Sequence, residues 1–303
     1  MRSRVRAFAL VELLVVIAII ALLLAILLPS LEHARATARM LKEQAAGHEL
    51  QIAMQAYTNQ YKDRIFPAYQ HWSWAHNTPG PTQQFRMLVR DPNNPSAEME
   101  GTPVKPWPWR FMHAMDVPYE TIVFEKERLA ALRGLGTTAG WDTYTFSTHT
   151  SMGMNAVYVG GHYLHGAFRP DAFPGPLARS RGGLGLFWVE DLGQVQHTDR
   201  LIVFASSGSA SGASAVKTNE AHYYVKPPMP CPTGMPPGAS LSGGWTAPNS
   251  ALDRTGRVRP PAISDDRGYV RARHFGKAVT TMFDGHVRMQ SYTDLRDMRK
   301  WSA

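Results

Sequence analysis

The hydrophobic pattern divides the chain into three zones. From Ala7 to Leu28 every residue but Glu12 is apolar, so no face of a helix there is polar. About 20 such residues span the hydrocarbon core of a bilayer, whereas the apolar core of a secretory signal peptide runs to only about 7–15. Past Pro29 the pattern turns amphipathic. Leu31, Ala34, Ala38, Leu41, Ala45, Ile52 and Ala56 recur at three- and four-residue spacing, while Glu32, Arg35, Arg39, Lys42 and Glu43 fall elsewhere on the helical wheel. The first two zones together predict one helix from about Phe8 to Tyr61, with a kink at Pro29, whose ring removes a backbone hydrogen bond. It stops before Pro67, which holds Phe66 extended.

The third zone alternates. Short runs suited to strands are YTFSTH, NAVYVG, GLFWVE, RLIVFAS and AHYYVK, and the longest is AVTTMFDGHVRMQSY. In the last, two alternating segments flank Asp284-Gly285, the sequence of a tight hairpin turn. EKERLAALRGLG, from Glu125, reads as a short helix ended by Gly134 or Gly136. The Gly/Ser-rich SSGSASGAS and a Pro/Gly-rich stretch over 226–262 read as long loops. A long helix followed by a mainly antiparallel β-sheet with long loops predicts an α+β fold, with the helix over 8–66 and one globular domain over 67–303.

Charge gives the chain an orientation. Arg2, Arg4 and Arg6 precede the apolar run and no acidic residue does, which favours a cytoplasmic N-terminus and an exported remainder. The formal charge of +8 includes those arginines. The other basic residues are scattered, without zinc-finger or basic-zipper spacing, so nucleic acid is not an expected partner. Cys231 is the single cysteine, which excludes an intramolecular disulfide, and it lies in a proline-rich loop.

The chemistry-bearing residues form no strong motif. H-E-x-x-H, G-x-S-x-G and the phosphate-binding G-x-x-x-x-G-K-[ST] are missing from the sequence, and at Gly208 the nucleophile position is Ala210. Gly182, Gly183 and Gly185 follow no strand that would make them a dinucleotide fingerprint. The neighbours Glu190-Asp191 and Asp265-Asp266 would point to opposite faces of a strand. His71, His76, His162 and His165 lack metal-ligand spacing. Trp72, Trp74, Trp107 and Trp109 suit either a loop-rich core or a stacking face for carbohydrate or protein. These readings predict no catalysis, no cofactor and no metal.

Glu12 asks for an explanation, because a charge inside hydrocarbon is expensive and commonly functional. It could reach the interface as a tolerated defect, pair within a bundle, or mark a helix whose final surroundings are other helices. The stretch RAFALVELLVVIAIIALLLAILLPSLEHARATAR resembles the N-terminus of type IV pilins and type II secretion pseudopilins. The resemblance implies a leader over 1–7, cut by a prepilin peptidase between Ala7 and Phe8, and methylation of the new Phe8 amine. Ala7 stands where the family usually has Gly. Glu12 and Pro29 occupy the positions of the family's Glu and Pro. The family's arrangement would let Glu12 of one subunit meet the Phe8 amine of a neighbour in a filament. The implied architecture is transmembrane over 8–28 and amphipathic over 31–61. The implied place is the bacterial inner membrane, with the domain periplasmic or extracellular. The implied partners are other pilin-like subunits and a pilus or secretion assembly platform.

A second resemblance lies at the other end. His274, nine residues, then Asp284-Gly285 is similar to an H-x9-DG motif of planctomycete-type prepilin-like proteins, as are the segments from Ser151 and Ile52. Two readings of His274 and Asp284 stand side by side. One is a metal or catalytic pair with His286. The other is a structural turn with His274 hydrogen-bonding across the hairpin.

Overall fold

The computed structural model describes residues 10–69, 86–87, 99–100, 106–109, 111, 119–123, 147–156, 158–161, 189, 191–208, 224–227 and 268–301. They fall into two compact units, Met1–Lys42 and Glu43–Ala303. The first consists, in its described part, of the leading portion of helix α1 (Leu10–Gln60), which has Pro29 inside it. Its side chains are exposed on every side from Leu10 to Arg35.

The second unit contains the remainder of α1 and the strands. These are β1 (Arg86–Met87), β2 (Met99–Glu100), β3 (Met152–Asn155), β4 (Ile202–Ser206), β5 (Tyr224–Val225), β6 (Lys277–Met282) and β7 (Val287–Ser291), with a short helix α2 (Tyr119–Ile122) between β2 and β3. β1 and β2 pair with each other. The main sheet has the order β5-β3-β4-β6-β7. It is antiparallel except for β3 against β5. A long apolar helix followed by a mostly antiparallel sheet is the α+β layout that the hydrophobic pattern predicts, and it has the pilin-like order that the resemblance implies.

The helix ends for a reason nearer than Pro67. Lys62 and Asp63 both take left-handed backbone angles, φ 55° and 62°. Asp63 N–H then turns back to Thr58 O at 2.8 Å, the bond that closes a Schellman-type helix end. The compact unit begins within α1 at Glu43, not after the helix, because Ala46, Leu50, Ala53 and Met54 are buried in its core.

The face of α1 that enters this core differs from the one that the spacing of apolar residues suggests. Glu43, Ala46, Gly47, Leu50, Gln51, Ala53, Met54 and Thr58 are buried. Leu31, Leu41 and Ile52 are 42%, 55% and 52% exposed, and Ala34, Ala38 and Ala45 are also exposed. Sequence reasoning sets Glu43 on the polar side of the wheel, whereas it is fully buried.

The main sheet is covered on both faces, as its β6 alternation records. Val279 and Phe283 join the core that holds Leu50, Met54, Phe66, Trp107, Phe111 and Phe204, while Ala278 and Met282 join a second one with Leu295 and Trp301. In β4 the register slips between Ile202 and Phe204, a bulge that lets Val203 and Phe204 both serve the first core. Rings pack edge to face there, Phe66 on Phe111 at 4.7 Å and Trp107 on Phe111 at 5.2 Å between centroids. Trp107 and Trp109 are therefore core residues, the first of the two roles open to them.

Other expectations shift. β3 ends at Asn155, where NAVYVG begins, and Ser147-Thr148 of YTFSTH are helical. RLIVFAS, AHYYVK and the last hairpin contain β4, β5 and β6–β7. The Glu125 helix, Cys231, Trp72, Trp74, Glu190, Asp265-Asp266, the three glycines from Gly182 and the four histidines named from His71 to His165 lie outside the described residues.

The second core is closed by the 3-10 turns Asp294–Arg296 and Met298–Lys300. Trp301 is fully buried, its Nε1–H donating to Leu295 O at 2.8 Å. Asn155 Nδ2 donates to both Trp301 O and Ile202 O, tying the turn to the sheet. Asp297 caps the last turn, and hydrogen bonds from Arg299 hold its carboxyl down from 3.8 to about 2. Trp301→Ala should destabilise the domain by about 3–5 kcal/mol, the usual loss for a large buried aromatic. Thermal unfolding of the full chain in detergent measures it, and an unchanged midpoint would show that the turn is not a structural anchor.

Candidate functional site

Two regions carry the residues that the sequence singles out. At the start of the chain, Ala7 and Phe8 lie outside the described residues. Glu12 stands in the first turn of α1 and is exposed, with exposed apolar side chains before and after it. α1 is long and apolar enough to cross a membrane.

The second region is the β6–β7 hairpin, and its geometry follows from two turns. The first, His274–Lys277, enters β6. Its central residues Phe275 and Gly276 have φ 51° and 74°, the pair of left-handed angles of a type I′ turn. His274 N–H donates to Lys277 O at 3.1 Å and Lys277 N–H returns to His274 O at 2.8 Å. The turn therefore uses the histidine's backbone and leaves its imidazole for another element.

The second turn joins β6 to β7. Asp284-Gly285 does not make the two-residue type I′ turn its sequence suggests, because only Gly285 is left-handed, with φ 95°. Gly285 N–H donates to Met282 O at 3.0 Å, and Met282 N–H to His286 O at 2.9 Å. Phe283, Asp284 and Gly285 thus form a three-residue loop closed by a glycine bulge. Asp284 Oδ1 accepts from His286 N–H at 3.1 Å and lies 2.6 Å from His286 Nδ1.

This loop presents its carbonyls to α1. Phe283 O accepts from Gln51 Nε2 at 2.6 Å, and Gly285 O accepts from His48 Nδ1 at 2.9 Å, which places the ring proton on Nδ1. Phe283 and Asp284 send their N–H groups to Leu201 O and Thr198 O, ahead of β4.

The imidazole of His274 crosses to the helix and not to the other strand of the hairpin. Its Nε2 hydrogen-bonds Glu43 Oε2. Arg273 Nε lies 3.5 Å from the same oxygen. The Arg273 guanidinium also donates to Ser151 O and Ser207 O, each at 2.7 Å, which fixes it to the start of β3 and the end of β4. Between Glu43 and Gln51 the helix comes so close that a Cβ on Gly47 would sit 2.5 Å from Thr281 Oγ1. His274 and Gly285 are therefore joined through α1, where Glu43, Gly47, His48 and Gln51 meet the hairpin, whereas Asp284 bonds Thr198 O and His286. Sequence reasoning missed these four. The available signal was a polar and glycine spacing of four, Glu43 to Gly47 to Gln51, on a helix whose apolar stripe runs elsewhere.

Chemically, the arrangement binds one charged group and several carbonyls, all of them this chain's own. Among the described residues, no group of three or more His, Cys, Asp or Glu is gathered as metal ligands would be.

Comparison with known proteins gives one match. Residues 2–28 match the family described as the prokaryotic N-terminal methylation motif. No curated protein and no solved structure matches the chain. The motif takes in the apolar start of α1 and supports a pilin-type precursor, which implies processing by a prepilin peptidase and association with a membrane. Gly285→Ala should cost the domain about 1–2 kcal/mol, since a side chain is disfavoured in the left-handed region. Thermal unfolding checks it, and wild-type stability would exclude the glycine-bulge turn.

Proposed function

We propose that the chain is a structural subunit of a type IV pilus-like filament or a type II secretion pseudopilus, with no enzymatic role. The observation that carries this reading is the methylation motif over residues 2–28 at the head of a long helix whose stretch to Leu28 is apolar but for Glu12. In this reading the chain inserts with Arg2, Arg4 and Arg6 at the cytoplasmic side and exports the domain. A prepilin peptidase removes Met1 to Ala7, and the Phe8 amine is methylated.

Assembly then proceeds through α1. Leu31, Ala34, Ala38, Leu41, Ala45 and Ile52 supply an exposed stripe at three/four spacing that continues the apolar run. The occupant proposed for it is the α1 of another subunit, for which small residues allow close approach. Glu12 pairs with the neighbour's Phe8 ammonium, so that each buried charge neutralises the other. The pair contributes register more than adhesion.

A binding protein that never polymerises would need a different surface. Trp107 and Trp109, half of its candidate stacking face, are buried in the core, which weighs against that alternative.

Two measurements test the proposal. Intact-mass analysis from a host with a prepilin peptidase should show loss of Met1 to Ala7 and gain of one methyl group. A mature chain that keeps Arg2, or is cut after Leu28, would remove the pilin reading. Glu12→Ala should leave insertion and cleavage unchanged and abolish sheared multimers, since an unpaired buried charge costs about 3–5 kcal/mol per subunit. Wild-type multimer levels in that variant would overturn the pairing.

A further inference from the structure

We infer that the hairpin from His274 to Gly285 is one half of an interlock that sets which residues of α1 carry the domain. The other half is written on the helix as Glu43, Gly47, His48 and Gln51. The interlock stands on the geometry of the Glu43–Ala303 unit, and its consequence for assembly rests on the subunit reading above.

Each contact admits one register only. Glu43 is fully buried and meets His274 and Arg273. Arg273 cannot follow a sliding helix, because the carbonyls of Ser151 and Ser207, beside β3 and β4, hold it. One turn further, only a residue without Cβ fits against Thr281 Oγ1. One turn beyond that, Gln51 reaches Phe283 O, flanked by His48 on Gly285 O. A slip of four residues would bring Gly47 to His274 and Arg273, leaving the buried cation without its carboxylate. The same slip would push Gln51 into the close approach at Thr281. Both errors are costly, and they occur together.

The seam is also poorly suited to adhesion. Glu43 Oε1, Gln51 Oε1 and Thr281 Oγ1 are buried and have no hydrogen-bond partner among the described residues. An apolar seam of the same volume would avoid those losses and bind the helix more tightly. Buried polar groups that sacrifice stability are best explained by the wrong arrangements they exclude. Excluding axial slip matters for this chain. The same helix bears Glu12, which the subunit reading places in the contact between neighbours. Glu43 and His274 are accordingly positioning residues.

Disulfide trapping reads the register directly. The full chain is used in detergent with Cys231→Ser, carrying Thr281→Cys with either Gly47→Cys or Gln51→Cys; at 47 the added Cβ meets the sulfur that replaces Thr281 Oγ1, so in the in-register pair the close approach is taken up by the disulfide itself. The in-register pair 47/281 should close at least about tenfold faster than the slipped pair 51/281. His274→Gln and Glu43→Gln, each nearly isosteric and uncharged, should reduce that preference at least about fivefold, while the circular-dichroism spectrum stays that of the wild type. A preference unchanged in both variants would overturn the interlock and leave the cluster a plain stabilising contact. Sheared multimers are scored in the same samples. Wild-type chains that form none would remove the subunit reading, and the trapping ratio would still decide the interlock.

Discussion

A buried carboxylate organises this domain. Glu43 has no exposure to water, and a lone ionised group in that position would be prohibitive. It survives because Arg273 and His274 converge on one of its oxygens. Arg273 in turn ties together β3 and β4, and His274 is aimed by a turn that forces a phenylalanine into left-handed backbone. The helix, two strands of the sheet and the entry to the last hairpin thus share one electrostatic centre.

The same helix faces two sets of demands. From Leu10 to Leu28 every side is apolar except at Glu12, and past Pro29 polar and apolar positions separate. From Glu43 onward the separation becomes one of burial. One face meets the sheet with Ala, Gly, Leu and Met among polar groups that hydrogen-bond the hairpin. The opposite face keeps the apolar stripe exposed. In the proposed subunit the division is functional, with one side holding the chain's own domain and the other holding a neighbour.

Much of this was legible in the residues, though unevenly. The long apolar run, the α+β class, β4 and the β6–β7 hairpin are set by patterns within a few positions of each other, and local patterning reads these well. The buried face of α1 was not legible. Its spacing rule assumes that a core face is the apolar one, and here Glu43 and Gln51 take that side because their partners lie more than two hundred residues away. The turn after β6 was half legible: Asp284-Gly285 announces it, but whether one or two residues go left-handed depends on carbonyl partners that only the folded helix provides. The helix end fell where the pattern placed it, but its cause was not legible, since nothing in Lys62-Asp63 advertises positive φ.

The separation of Glu43 from His274 also sets an order of events. The two are 231 residues apart. At a synthesis rate of about 5–20 residues per second, the histidine leaves the ribosome roughly 12 to 46 s after the glutamate. Until then α1 carries a carboxylate with neither of its partners made, beside an apolar stripe already complete. In the proposed subunit, the helix is therefore complete well before its own domain can close on it.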